Sequence, residues 1–190
     1  MSDDPYVYPG TTTLRNRLGL TDPAALNRIE RLYVIDRATR AIPRGSFDLS
    51  HLRAIHHHLF QDVYDWAGNL RTVEISKGEP QFQFRKYILT GMADGHGRLV
   101  GARFLKGLSS AQFAEQAAVI VGDINYIHPF REGNGRTQLQ YLKQLAQGAG
   151  HGLDLAQIPV ACWIQASISR HSADYGPMAA AIATALKPAQ

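Results

Sequence analysis

The sequence predicts a mainly helical, all-α chain with one small β-hairpin. Three observations point there. Apolar residues recur at spacings of three and four through most segments. Ser, Asp and Pro signals open those segments, and Gly or Pro closes them at helical distances. Alternation with period two occurs in one place only, 70–84. With 190 residues the chain can build one substantial core and is short for two domains, so a single unit over 1–190 is expected. It contains no internal repeat and no low-complexity linker.

Residues 1–20, rich in Tyr, Pro, Gly and Thr, are expected to wrap over the body before any long helix begins. Thr21, Asp22 and Pro23 then supply a cap and a first-turn proline. Leu26, Ile29, Leu32, Tyr33, Ile35 and Asp36 carry a helical pattern to about Ala41, and Pro43 ends it. The second helix is expected over 46–63, capped by Ser46 or Asp48, with Leu49, Leu52, Ile55, Leu59 and Val63 in register. Both read as core helices. Gly68 breaks the pattern. Leu70, Val73 and Ile75, a turn at Lys77, Gly78, Glu79 and Pro80, and then Phe82 and Phe84 read as the hairpin. Trp66 and Arg71 fit its base. Over 85–105 a helix is expected to fray around Asp94, Gly95, His96 and Gly97, because each interior glycine costs about 1 kcal/mol.

Ser109 or Ser110 starts the next helix, 110–126, whose face is Phe113, Ala117, Val121, Ile124 and Ile127. Another covers 136–149, with Leu139, Leu142 and Leu145 along a stripe and Gly148 and Gly150 as stops. After an extended stretch at 151–155, a helix over 159–169 uses Val160, Trp163, Ile164, Ser167 and Ile168. Pro177 opens the last one, alanine-rich and ending near Lys187.

Between the two central helices lies the stretch with chemistry, YIHPFREGNGRTQL at 126–139. Pro129 cannot continue a helix and biases His128 away from helical angles, so the imidazole belongs at a helix end. Gly133, Asn134 and Gly135 tolerate crowded or left-handed backbone and can turn successive amides into one concavity. Amides converging at a helix N-terminus attract phosphate, and Arg136 adds a forked, permanently charged donor. Glu132 is out of place beside an anion unless a cation intervenes. One carboxylate next to phosphates is a common way to hold Mg²⁺. His128 has the near-neutral pKa suited to taking a proton from a hydroxyl. Gly, Asn and Pro are ordinary turn residues, but a turn does not require His, Glu and Arg at these offsets.

The run His56, His57, His58 does not read as a metal site. Consecutive helical residues point about 100° apart, so one buried and two outward-facing histidines are expected.

Composition sets the outer limits. At 45% hydrophobic and 19% charged the chain is ordinarily globular. A formal charge of +4 and a pI near 9.3 suit a nucleotide or an acidic partner. The basic residues form no run, so direct nucleic-acid binding is not expected. Cys162 stands alone, which excludes an internal disulfide. The acidic N-terminus does not read as a signal peptide and no window reaches membrane-spanning length, so a cytoplasmic protein is expected, with export as an effector left open.

HPFREGNGR at 128–136 resembles the Fic motif, HPFx(D/E)GN(G/K)R, with every specified position filled. DPYVYPGTTTLRNRLGL, HHHLFQDVYDWAGNLRTVEI and the YGPM segment near Tyr175 are similar to stretches of bacterial Fic proteins, so the resemblance covers most of the chain. It implies a helical Fic-type bundle with a flap at 70–84 and an active loop at 128–137. It also implies protein adenylyltransfer: AMP passes from ATP to a Tyr, Ser or Thr hydroxyl of a target protein. On that resemblance His128 is the base, Glu132 the Mg²⁺ ligand and Phe130 the buried anchor. The nucleotide positions are Arg131, Glu132, Gly133, Asn134, Gly135, Arg136 and Thr137. The flap residues Val73, Glu74, Ile75 and Ser76 dock an extended target segment. The phosphorylating branch carries lysine at the position of Gly135, so AMP transfer is favoured.

Many Fic proteins carry an inhibitory (S/T)xxxE(G/N) helix. No Ser or Thr here is followed four residues later by Glu and then Gly or Asn. A separate small antitoxin bearing that helix is therefore the expected partner of a toxin-type enzyme. Two other readings stand beside this one. The loop could transfer another phosphate-containing group, or the chain could be a catalytically silent binding module.

Overall fold

Seven α-helices form in the computed structural model, which describes residues 4–76 and 81–187. They are α1 (Pro23–Thr39), α2 (Leu49–Phe60), α3 (Ile88–Gly101), α4 (Ser110–Ile127), α5 (Asn134–Ala149), α6 (Val160–Ser169) and α7 (Gly176–Ala185). Helix α4 is the axis. Phe113, Ala117, Val121, Ile124 and Ile127 are all buried, as are Ala114, Ala118 and Ile120 on its flanks. It packs against α3, α5 and α7, while α2 lies on α5 and α1 on α2.

Local signals set most of the boundaries. The Asp22 carboxylate accepts from Ala25 N–H, with Pro23 in the first turn. Asp48 accepts from His51 N–H at 2.8 Å. Ser109 and Gln112 form a reciprocal capping box at the head of α4. Gly150 closes α5 in a left-handed conformation, φ 94°.

Four expectations need correction. Helix α3 is continuous through Gly95 and Gly97. Buried Ile88, Met92 and Leu99 and the ion pairs of Arg98 with Asp94 and Asp123 supply the tertiary support that outweighs glycine's low propensity. Helix α1 buries Leu26, Glu30 and Val34, whereas Leu32 and Ile35 are 60% and 63% exposed. Helix α6 buries Trp163 and Ala166 and leaves Val160, Ile164 and Ile168 outside, with Cys162 also exposed.

The expected hairpin is the fourth. Among the described residues it comes down to one antiparallel bridge, Ser76 with Gln81, and Phe82 N–H donating to Ile75 O at 3.4 Å. Its turn at 77–80 lies outside the described residues. The buried Arg71 guanidinium donates to Val73 O at 2.8 Å and to Gln83 O, so a side chain joins the two arms where cross-strand amides would otherwise do so. Gln83 N–H turns away to Tyr126 O at the end of α4.

Residues of the N-terminal segment contact the rest of the chain. Tyr6 is buried, its hydroxyl accepts from Thr72 N–H at 3.1 Å, and Arg17 N–H reaches Val63 O. Among the described residues no helix is long and apolar enough to cross a membrane.

Candidate active loop

The loop between α4 and α5 is fixed from both ends. His128 caps α4, with its N–H on Ile124 O at 3.0 Å and φ 47°, so the chain leaves the helix sharply and Pro129 prevents it from re-entering. Arg71 seats this corner. Its N–H donates to Pro129 O at 2.9 Å and its Nε to His128 O at 2.8 Å. The His128 ring stacks on Phe82, centroids 3.7 Å apart, and its Nδ1 lies 3.0 Å from Asn125 O. A carbonyl only accepts, so Nδ1 carries a proton, and in the neutral ring the lone pair is on Nε2.

Phe130 is buried and stacks at 3.9 Å on His56. Asn134 closes the turn. Its Oδ1 accepts from Phe130 N–H at 3.0 Å and its Nδ2 donates to Phe130 O at 2.8 Å. That side chain is therefore spent on the loop itself, leaving the Asn134 backbone amide for a ligand. Gly133 has φ 83°, and a Cβ there would stand 2.4 Å from Phe60 Cζ, so no other residue fits without displacing the ring. Its amide is already engaged, donating to Glu132 Oε1 at 2.9 Å. A Cβ on Gly135 would meet nothing within 4 Å.

Asn134, Gly135 and Arg136 form the first turn of the 16-residue α5, where amides have no intrahelical acceptor. The positive end of the helix dipole adds to them. Thr137 is turned inward: its hydroxyl and its amide both donate to Gly133 O, at 2.9 and 3.1 Å, in a fully buried position. Arg131 pairs with Asp4 at 2.8 Å and ties down the N-terminal segment. These two side chains hold the loop's frame and do not join the group around the α5 terminus.

Glu132 and Arg136 do join it. The Glu132 side chain is half exposed and lies 3.5 Å from Arg136 Nη2. Arg136 sits 4.7 Å above the Phe60 ring, and its Nη1 meets Glu30 at 2.5 Å. Of the hairpin residues, Val73 O and the Glu74 carboxylate bind Arg71, Ile75 faces Phe82, and Ser76 forms the bridge.

Sequence reading passed over Glu30, Phe60 and Tyr64, and it expected one buried histidine in the run 56–58 without giving it a partner in the loop. His56 Nδ1 accepts from Gly68 N–H at 2.7 Å, so Nε2–H donates to Glu132 O at 2.9 Å. Burial pushes its pKa down to about 3, and the ring is neutral. His57 and His58 bind the carbonyls of Ala67 and Arg37 instead. No cluster of three or more metal-ligating side chains occurs among the described residues. Glu30 did leave a signal, a charge midway between Leu26 and Val34 at four-residue spacing.

The geometry defines a class: an all-α protein whose polar chemistry is gathered on one interhelical loop, with an oriented imidazole at one helix end and open amides at the next helix start. The chain belongs to the Fic/DOC family, whose model matches residues 46–146. A probable protein adenylyltransferase of Sinorhizobium fredii is 41% identical over 181 residues, covering 95% of this chain and 94% of that one. The protein adenylyltransferase VbhT of Bartonella schoenbuchensis is 36% identical across 95% of this chain, which spans 38% of VbhT's length. Among solved structures, the VirB-translocated effector BepC of Bartonella tribocorum, with AMPPNP bound, superposes with a TM-score of 0.90 at 29% identity, over 98% of each chain.

Proposed function

We propose that this chain is a protein adenylyltransferase, moving AMP from ATP to a Tyr, Ser or Thr hydroxyl of a protein. The observation that carries the reading is the pairing of His128 with the first turn of α5. Its Nδ1 is committed to Asn125 O, so in the neutral ring the basic atom is Nε2, at the end of α4. The relatives named above as adenylyltransferases support the same conclusion.

The triphosphate is received by the Asn134, Gly135 and Arg136 amides and the Arg136 guanidinium. The target hydroxyl loses its proton to His128 Nε2 as its oxygen bonds to the α-phosphorus. The bond from that phosphorus to the bridging oxygen breaks, and pyrophosphate leaves. Glu132 fits Mg²⁺, because a lone half-exposed carboxylate beside phosphates leaves the remaining coordination sites to water and substrate. When bound, the ion neutralises phosphate charge.

The arm at Val73, Glu74, Ile75 and Ser76 receives an extended target segment by backbone pairing. Gly135 stands where the resembling phosphorylating branch has lysine, which favours AMP over phosphoryl transfer. The protein acts in the cytoplasm, restrained by a separate small antitoxin.

The test is incubation with α-labelled ATP, Mg²⁺ and lysate. Labelled protein bands that vanish with His128→Ala and with EDTA are the expected result. Label arriving from the γ position instead would replace AMP transfer with phosphorylation. Expression without a neighbouring small partner should arrest growth, and harmless expression of the active enzyme would count against the antitoxin.

A further inference from the structure

Helix α1 is the most exposed helix around the site, yet it buries a carboxylate. Glu30 is 5% exposed, in line with Leu26 and Val34. An apolar residue would fill this stripe without desolvating a charge, and a buried carboxylate is costly unless it is paired and hydrogen-bonded. Glu30 has both kinds of partner. Oε1 meets Arg136 Nη1 at 2.5 Å, and Oε2 accepts from the Tyr64 hydroxyl. Tyr64 is itself immobile, 1% exposed and stacked on Trp66 at 4.3 Å. Burial, and then Glu30, push its phenol far above its ordinary range, so it stays a donor.

The other carboxylate near Arg136 contrasts with this one. Glu132 is half exposed and 3.5 Å away, a weak contact that an arriving cation can take over. Glu30 cannot be released in the same way, since leaving it would strand a buried charge. Phe60, under the guanidinium, fixes its plane as well.

We propose that Glu30 is the positioning residue of Arg136: braced by Tyr64, it holds the guanidinium in place at the start of α5 before a nucleoside triphosphate arrives. This rests on Arg136 being a phosphate ligand. An arginine on a long free side chain would have to be ordered on binding, and the tether removes that cost in advance.

The experiment is a double-mutant cycle on the full chain. ATP affinity is measured calorimetrically with His128→Ala throughout, so that nothing turns over. Glu30→Gln, which keeps the shape and loses the charge, is expected to weaken ATP binding about tenfold. Arg136→Ala should weaken it at least as much, and the pair should be no worse than Arg136→Ala alone. With His128 restored, Glu30→Gln should raise KM for ATP and leave kcat nearly unchanged. Tyr64→Phe, which preserves the packing, should move affinity in the same direction by less.

If Arg136→Ala leaves ATP affinity unaltered, the phosphate role of Arg136 fails and this proposal fails with it. If Arg136→Ala weakens binding but Glu30→Gln does not, or the two losses simply add, Glu30 is structural only. Tighter binding in Glu30→Gln would make Glu30 a competitor of phosphate and would overturn the proposal.

Discussion

Helices α4 and α1 carry similar apolar periodicity and use it in opposite ways. In α4 every residue of the expected face is buried. In α1 the buried line is Leu26, Glu30 and Val34, and Leu32 and Ile35 stand in solvent. Periodicity tells that a helix has an apolar side; it does not tell whether another element covers that side. Helix α4 is surrounded because neighbours before and after it in sequence fold back onto it. Helix α1 is at the edge, and its covered line is shared between core packing and the active loop.

The largest effect expected from disturbing this contrast lies at the end of α4. His128→Ala should lower AMP transfer by roughly 10²- to 10⁴-fold. His128→Asn should lose as much activity while melting higher than the alanine variant, because asparagine tolerates φ 47° better. In the body of α4, Phe113→Ala should cost about 3–5 kcal/mol in urea unfolding. A cost under about 1 kcal/mol would mean α4 is less enclosed than its burial indicates.

Acid should expose the buried ring under the loop. The folded pKa of His56 is about 3, below its ordinary 6.5. Between those values the unfolded chain binds the extra proton, so stability is complete above about pH 6.5 and falls as the pH drops toward 3. Melting temperature should decline over this window, and His56→Gln should flatten the decline from a lower starting value. An identical slope in wild type and variant would remove His56 as the cause. The smallest effect belongs to α1: Ile35→Ser should change stability by no more than about 0.5 kcal/mol. A core-sized loss there would erase the contrast between the helices.

The parts legible in sequence are those decided by neighbouring residues. Ser109, Gln112, Pro129 and Gly150 place α4 and α5 to within two residues. The α5 start shifts from 136 to 134 only because Gly133 adopts φ 83° beneath Phe60, a contact made by a distant helix. The loop's histidine, its arginine and its open amides could be read from type and spacing. The inward turn of Thr137 and of the Asn134 side chain could not, since each depends on which carbonyl the folded loop presents. Glycines in α3 misled for the same reason, because ion pairs and buried side chains outvoted propensity. Among the described residues the hairpin arms keep one bridge and are joined by Arg71, whose role as a crosslink needs both arms already in place.

Arg71 has one more consequence. Its single guanidinium satisfies oxygens on residues 73, 83 and 128 while no water reaches it. None of the three stretches can drift without stranding a cation's hydrogens, so a displacement of the arm beside Ser76 is passed, through a few ångströms of rigid hydrogen bonding, to the histidine at the end of α4.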